Sequence, residues 1–352
     1  MATGEKIAFA LAEVLPGAPV LPALVPVLGE GAPSRTLFQD IPADDWRGAL
    51  RLAEPGAAPD ALLVPHHWRA VEKMGGPGYA SRLVADARAR GLPIVVVAYG
   101  DDHREVPVPA VVFRPSRYRQ IDRPLEVSMP AYVEDLGRSG VPPVPAQPKP
   151  SVGFVGRAGF AGFADAARYV ARTVFAPHPF KDGRWYRRAF ARALAADPRV
   201  DANFIFRRRY SGHRDSIEAS PEEARRGYLE NLAGSAYGLA PKGDGNYSLR
   251  FYELLSLGRI PVLPDTGVVL PLEGSVRYDD FVVRVPAGRP RDAAEALASW
   301  HAARGGAGIA AASAAARAAF ERYLYAPKFF AEATRRDRLA PLLARARAAL
   351  AA

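Results

Sequence analysis

Short apolar runs recur along the chain, and stretches of helical spacing fill the gaps between them. Lys6 to Ala12, Ala61 to Val64, Ile94 to Ala98 and Val111 to Phe113 read as buried strands. Between them, Asp44-Asp45-Trp46 opens a short helix with acids at its positive end, and Tyr79 to Arg90 is an amphipathic helix that stops at Gly91. Residues 16–33 carry five prolines and read as a loop. A second series begins at Ser151 to Val155 and continues through Asn203 to Phe206, Tyr237 to Ala240, Ile260 to Leu263 and Phe281 to Val285. Helices are predicted over Phe163 to Phe175, along the Tyr186, Phe190, Leu194 stripe, and from a Ser220-Pro221-Glu222-Glu223 capping box through Tyr228 and Leu232. Further helices near 291–303, 309–325 and 328–350 close the chain. Strands alternating with helices at this spacing predict parallel sheets of the α/β class. Residues 142–150 hold five prolines in nine and read as a semi-rigid linker. They divide the chain into an N-terminal α/β domain, 1–146, and a C-terminal one, 147–352.

The most informative stretch is Ser235 to Pro264, which reads as strand, glycine-rich loop, short helix, strand. Lys242-Gly243-Asp244-Gly245-Asn246 form the turn, Ser248 is placed to cap the helix, and Gly258 to stop it. A helix N-terminus presents unpaired N–H groups and partial positive charge, and glycines before it let a phosphate approach the backbone. Arg250 in the first turn adds a planar fork for phosphate oxygens. Glu253, three residues on, shares its face, and a carboxylate there suits a ribose diol. Phe251, Leu254 and Leu255 point the other way. The stretch suits a nucleoside diphosphate, with Gly156 and Arg157 at the end of the domain's first strand as further contacts. The same residues also make an ordinary strand–turn–helix with a solvated Arg250–Glu253 pair, and the spacing leaves both open.

The pattern Ser235-x-Tyr237-x-Leu239-x-Pro241-x-Gly243, then Ser248-x-Arg250-x-x-Glu253, then Gly258-x-Ile260-Pro261-Val262, resembles the exostosin-like glycosyltransferases, family GT47. The likeness continues through Leu270-Pro271 and Tyr278-Asp279-Asp280-Phe281. It implies a GT-B-like fold, two Rossmann-like domains facing across a cleft. It also implies a nucleotide-sugar donor held by the C-terminal domain, an inverting transfer to a glycan or lipid-linked glycan, and a last helix that returns to the first domain. The donor set is then Gly156, Arg157, Lys242, Gly243, Gly245, Asn246, Ser248, Arg250 and Glu253.

Composition narrows the setting. The 352 residues include no cysteine, which excludes disulfides and thiolate chemistry and fits a bacterial-type cytoplasm. No apolar run approaches a membrane span. Net charge is +10, which favours anionic partners: a nucleotide donor (UDP-sugar is the expectation), or the anionic face of an inner membrane touched peripherally. No nucleic-acid-binding module is present. An inverting transfer needs a general base, and Asp101, Asp102, His66 and His67 all follow predicted strands; position alone leaves the choice among them open, with Asp101 or Asp102 favoured and His66 next. No Asp-x-Asp occurs, so the expectation is metal-independent transfer without a cofactor. A non-catalytic carbohydrate- or nucleotide-binding protein on the same fold is the alternative.

Overall fold

The computed structural model describes residues 5–28, 41–76, 78–144, 147–160, 162–207 and 221–352. The chain divides into two compact units. In chain order the strands are β1 (Ala8–Leu11), β2 (Arg51–Leu52), β3 (Ala61–His67), β4 (Ile94–Val97), β5 (Ala110–Arg114), β6 (Glu126–Ser128), β7 (Ser151–Arg157), β8 (Asp201–Arg207), β9 (Tyr237–Leu239), β10 (Ile260–Asp265) and β11 (Val283–Pro286). The helices are α1 (Val25–Leu28), α2 (Trp68–Met74), α3 (Tyr79–Arg90), α4 (Phe163–Val174), α5 (Gly183–Ala195), α6 (Pro221–Ala233), α7 (Leu249–Ser256), α8 (Ala293–Ala319), α9 (Ala326–Ala333) and α10 (Arg336–Ala351).

Unit 1 takes in the chain up to Tyr132, then Val269–Leu272 and Tyr323–Ala352. Its sheet has the order β2-β1-β3-β4-β5-β6, with every pair parallel. Alternation along the strands sends side chains to two cores. Phe9, Leu63, Val95, Val97, Val111 and Phe113 meet Trp46, Phe329, Phe330 and Leu343 on one face. Leu62, Val64, Ile94, Val96 and Val112 meet Leu83, Ala87 and Leu350 on the other. The C-terminal helices α9 and α10 therefore complete this unit. Pro65 does not end β3, contrary to the sequence pattern. The register slips between Leu63 and His67, so the proline sits at an irregularity where its missing N–H costs no ladder bond. Its carbonyl accepts from Leu21 N–H at 2.8 Å instead. Strands β2 and β6, of two and three residues, are too short to show in the apolar pattern.

Unit 2 spans Val133–Val268 and Glu273–Arg322. Its five strands lie in the order β11-β10-β9-β7-β8, again all parallel. The proline-rich run falls within this unit. Arg259, fully buried, donates to the carbonyls of Pro142 and Pro143 at 3.1 Å each, and to Ala233 O at 2.8 Å. Burial pushes its pKa down to about 10, so it stays cationic at neutral pH. The two helices expected near 291–303 and 309–325 join into α8 with a break at Gly305, whose φ is +59°. Arg208, Arg209 and the Ser220 capping position lie outside the described residues.

Both sheets thus belong to the α/β class read from the sequence. Each is doubly wound and has a switch point, where the chain reverses its direction of progress across the sheet. In unit 1 it lies between β1 and β3, and in unit 2 between β7 and β9. Crevices beyond the carboxyl ends of strands at such points are where open parallel sheets bind ligands.

Candidate functional site

The loop after β9 and the end of β7 flank the switch point of unit 2. They carry the residues singled out as a donor set. The loop is tight: Gly243 N–H donates to Tyr247 O at 2.8 Å, and buried Asn246 accepts through Oδ1 from Thr266 Oγ1 at 2.5 Å. Asn246 thus secures the loop to the residue after β10. Lys242 and Gly245 are buried as well, and Asp244 is exposed at the tip. Gly183, the first residue of α5, presses on this loop; a Cβ there would stand 2.3 Å from Gly243 O. Ser248 occupies the N-cap position of α7 with extended backbone, but its hydroxyl makes no capping bond, which corrects the expected cap. Gly258 ends the helix with φ of +61°, as its position suggested.

Helix α7 then separates its faces as the spacing predicted. Phe251, Leu254 and Leu255 are buried. Arg250 and Glu253 meet on the opposite side around Tyr228 of α6. The Arg250 guanidinium lies 4.4 Å from the Phe154 ring centroid and 5.3 Å from that of Tyr228. It donates to Val155 O through Nη2, while its buried Nε has no partner. Close approach depends on Gly156, where a Cβ would lie 2.8 Å from Phe154 Cζ and 3.5 Å from Arg250 Nη1. Glu253 Oε2 accepts from the Tyr228 hydroxyl. Burial raises the Glu253 pKa, against the Tyr228 hydrogen bond and the Arg250 charge. Burial also pushes the Tyr228 hydroxyl well up, so it remains a proton donor.

Arg157 ends β7 beside this group. It donates to Asp165 of α4 through Nη2, and its Nε is buried without a partner. Asp165 also receives Arg184 at 2.9 Å, and Arg184 forks onto Asp182 at 2.9 and 3.0 Å. Arg172 reaches both Asp182 and Asp244 at 3.8 Å. A chain of alternating charge, Arg157–Asp165–Arg184–Asp182–Arg172–Asp244, therefore runs from the end of β7 to the tip of the loop after β9. Burial opposes ionisation of Asp182, but the hydrogen bonds from Arg184 outweigh it and hold the carboxyl below its usual range. Asp182 also caps α5, accepting from Arg184 N–H at 3.0 Å. Sequence reading missed this chain, Phe154 and the Glu253–Tyr228 bond. The chain is assembled from β7, α4, the start of α5 and the loop after β9, and no local spacing in the sequence links all four.

The residues considered as bases belong to unit 1. His66 is fully buried; Leu15 N–H donates to Nε2 at 2.8 Å, so Nδ1 carries the proton and donates to Pro19 O at 2.9 Å. Both ring nitrogens hold the segment after β1, so His66 has no lone pair for a substrate proton, which corrects its candidacy. Asp102, exposed beyond β4, accepts from Arg104 N–H at 2.7 Å and from its guanidinium. Burial works against the anion, but the Arg104 bonds and charge together outweigh it and hold the carboxyl below its usual range, which makes it a poorer base. Asp101 is exposed at the same strand end. His67 ends β3 between Tyr99 and Tyr132, whose rings stack at 4.2 Å. Its Nδ1 is buried without a partner, and burial, then the neighbouring His66, lower its pKa to about 4.

Nothing among curated proteins matches the chain. Among solved structures, it is similar to the spinosyn rhamnosyltransferase SpnG complexed with thymidine diphosphate, at 14% identity over 82% of this chain and 74% of that one, with a TM-score of 0.33. Residues 179–300 match the Exostosin GT47 domain, a segment that contains the loop after β9, Ser248, Arg250, Glu253 and the whole 235–281 pattern, and leaves Gly156 and Arg157 outside it.

Proposed function

We propose that the chain is a glycosyltransferase that takes a sugar from a nucleotide diphosphate donor and passes it to a glycan hydroxyl with inversion. The observation that carries this is the meeting, at one switch point, of a tight glycine loop, the N-terminus of α7 and two arginines with unpartnered buried Nε groups. The match of that segment to the Exostosin GT47 domain supports the same reading.

The chemistry follows from these groups. The acceptor oxygen forms a bond to the anomeric carbon as the bond from that carbon to the β-phosphate oxygen breaks. The electron pair leaves on the nucleoside diphosphate. Arg250, Arg157 and the backbone N–H groups opening α7 stabilise that added charge, and they are fixed before the reaction begins. Glu253, held by Tyr228, accepts from the ribose hydroxyls. The acceptor proton passes to a base of unit 1, which we assign to Asp101, since Asp102 is weakened by Arg104 and His66 is committed to the fold. In this reading UDP is the nucleotide, no metal takes part, and the acceptor is a bacterial surface glycan inside the cytoplasm.

Thermal shift with UDP, GDP, CDP and TDP tests the site and identifies the preferred nucleobase, because a bound nucleotide stabilises by mass action. The Arg250→Ala and Arg157→Ala variants are each expected to keep the fold and weaken nucleotide binding at least tenfold, about 1.4 kcal/mol. Asp101→Asn should leave nucleotide affinity intact and abolish release of the diphosphate from a sugar nucleotide with acceptor present. Full nucleotide affinity in both arginine variants would remove the site assignment. Nucleotide binding without turnover over a broad panel would favour the binding-protein alternative.

A further inference from the structure

Helix α4 is amphipathic in reverse. Most of its polar side chains face the protein, Arg168 being the exposed one. Asp165 holds Arg157 and Arg184, Arg172 reaches Asp182 and Asp244, and the Tyr169 ring lies under the Arg184 guanidinium at 5.1 Å. Its apolar side chains face solvent. Phe163 is 90% exposed, Val170 52% and Val174 65%, and Phe175 just beyond the helix is 83% exposed. No residue of α4 is buried. The sheet-covering work between β7 and β8 is done by α5, which buries Tyr186, Phe190, Ala191 and Leu194. Hydration of this stripe costs free energy that folding does not recover, and exposed apolar stripes of this kind mark contact surfaces.

The surrounding charge says what the contact is. From Arg157 to Arg192 the chain carries eight lysines and arginines against two aspartates, a surplus of six out of the whole protein's ten. Arg157, Arg172 and Arg184 pair with Asp165, Asp182 and Asp244, while Arg168 of α4 and Arg192 of α5 are exposed. A twelve-residue helix is about 18 Å long, and one such face is far short of the roughly 800 Å² per partner that a stable protein interface needs. An apolar strip one helix wide, in a strongly cationic setting, instead suits the headgroup boundary of an anionic bilayer. Among the described residues no helix is long and apolar enough to cross a membrane.

We propose that α4 seats this protein on an anionic membrane surface, with Phe163, Val170, Val174 and Phe175 entering the interface. The same helix holds Arg157 through Asp165, so the seat lies beside the candidate donor site. The inference rests on α4 and its charge, and it holds whichever nucleotide that site takes.

Sedimentation of the 352-residue chain with vesicles tests it. Vesicles of phosphatidylcholine alone are compared with vesicles containing one third phosphatidylglycerol, at rising salt. The protein is expected to partition onto the anionic vesicles at least tenfold better, and to lose that advantage as salt screens the charge. A triple variant, Phe163→Ser with Val174→Ser and Phe175→Ser, changes only exposed side chains. It should keep the Tm and nucleotide affinity of the parent and lose at least tenfold in partitioning. Equal partitioning of parent and variant, or a parent that stays in the supernatant with both vesicle types, overturns the proposal. So does a parent that is dimeric without vesicles and a variant that is monomeric, since a second copy would then cover the stripe.

Discussion

His67 titrates well below the ordinary histidine range. Its pKa falls from 6.5 to about 4 because the ring is enclosed by Tyr99 and Tyr132 and lies next to His66. The unfolded chain binds a proton there between these pH values and the folded chain does not. Stability therefore falls as pH drops from 6.5 towards 4, by about 3 kcal/mol in total. Urea titrations at pH 7 and pH 4.5 should show this loss, and His67→Phe should flatten it. An unchanged slope in that variant would place the pH dependence elsewhere. Below that range Asp182 acts in the same direction. Its depressed carboxyl contributes stability that is present above its unfolded pKa and lost as pH falls through the folded one. Single residues were also where the sequence was least legible. Arg250 and Glu253 could be placed on one face because three-residue spacing fixes it. His66 was singled out as a base candidate, but its part in the fold, like that of Asp182, depends on partners that only folding supplies: the Leu15 amide in one case and the Arg184 fork in the other.

Among the elements, the joint between α5 and the loop after β9 is the most exacting. Gly183 opens α5 directly against the carbonyls of Lys242 and Gly243. Alanine would gain about 1 kcal/mol in helix propensity and meet backbone at 2.3 Å, a clash of the kind that costs about 1–3 kcal/mol. Gly183→Ala is thus expected to be destabilising in urea unfolding. Because the loop must yield, it should also weaken nucleotide binding more than its stability loss alone predicts. Equal affinity with a lowered midpoint would show that the loop is not part of the binding surface. The strand–loop–helix–strand order of this region could be read from the chain because each transition has a local chemical signal: glycines, an N-cap position, an αL stop. The position of α5 against the loop could not, since glycine at a helix start looks locally like a weak helix former. The reversed polarity of α4 was hidden for a similar reason. Periodicity reveals that a helix has two faces and is silent on which one turns inward.

At the scale of the whole molecule, alternation of strands and helices was enough to give two parallel sheets, because buried parallel strands need runs that are apolar on both sides. The order of strands within each sheet was not available, since it depends on which crossovers pack best. The allocation of chain to units was also concealed. The backbone passes between the units after Tyr132, after Val268, after Leu272 and after Arg322. A fragment ending at Arg322 is accordingly expected to lose unit 1. It lacks Phe329, Phe330, Leu343 and Leu350 from the two cores of that sheet. Limited proteolysis of the fragment should leave a resistant piece from unit 2 and degrade the first 132 residues. Protection of both halves would contradict this.

That arrangement has a consequence for biosynthesis. Strands β1 to β6 leave the ribosome before unit 2 and wait, with apolar surface uncovered, until the segment through Leu350 has been made. Unit 2, begun later, is complete once Arg322 has emerged. Translation order and order of completion are therefore opposite. A pause or truncation between Arg322 and Leu350 falls hardest on unit 1, whose strands were synthesised earlier.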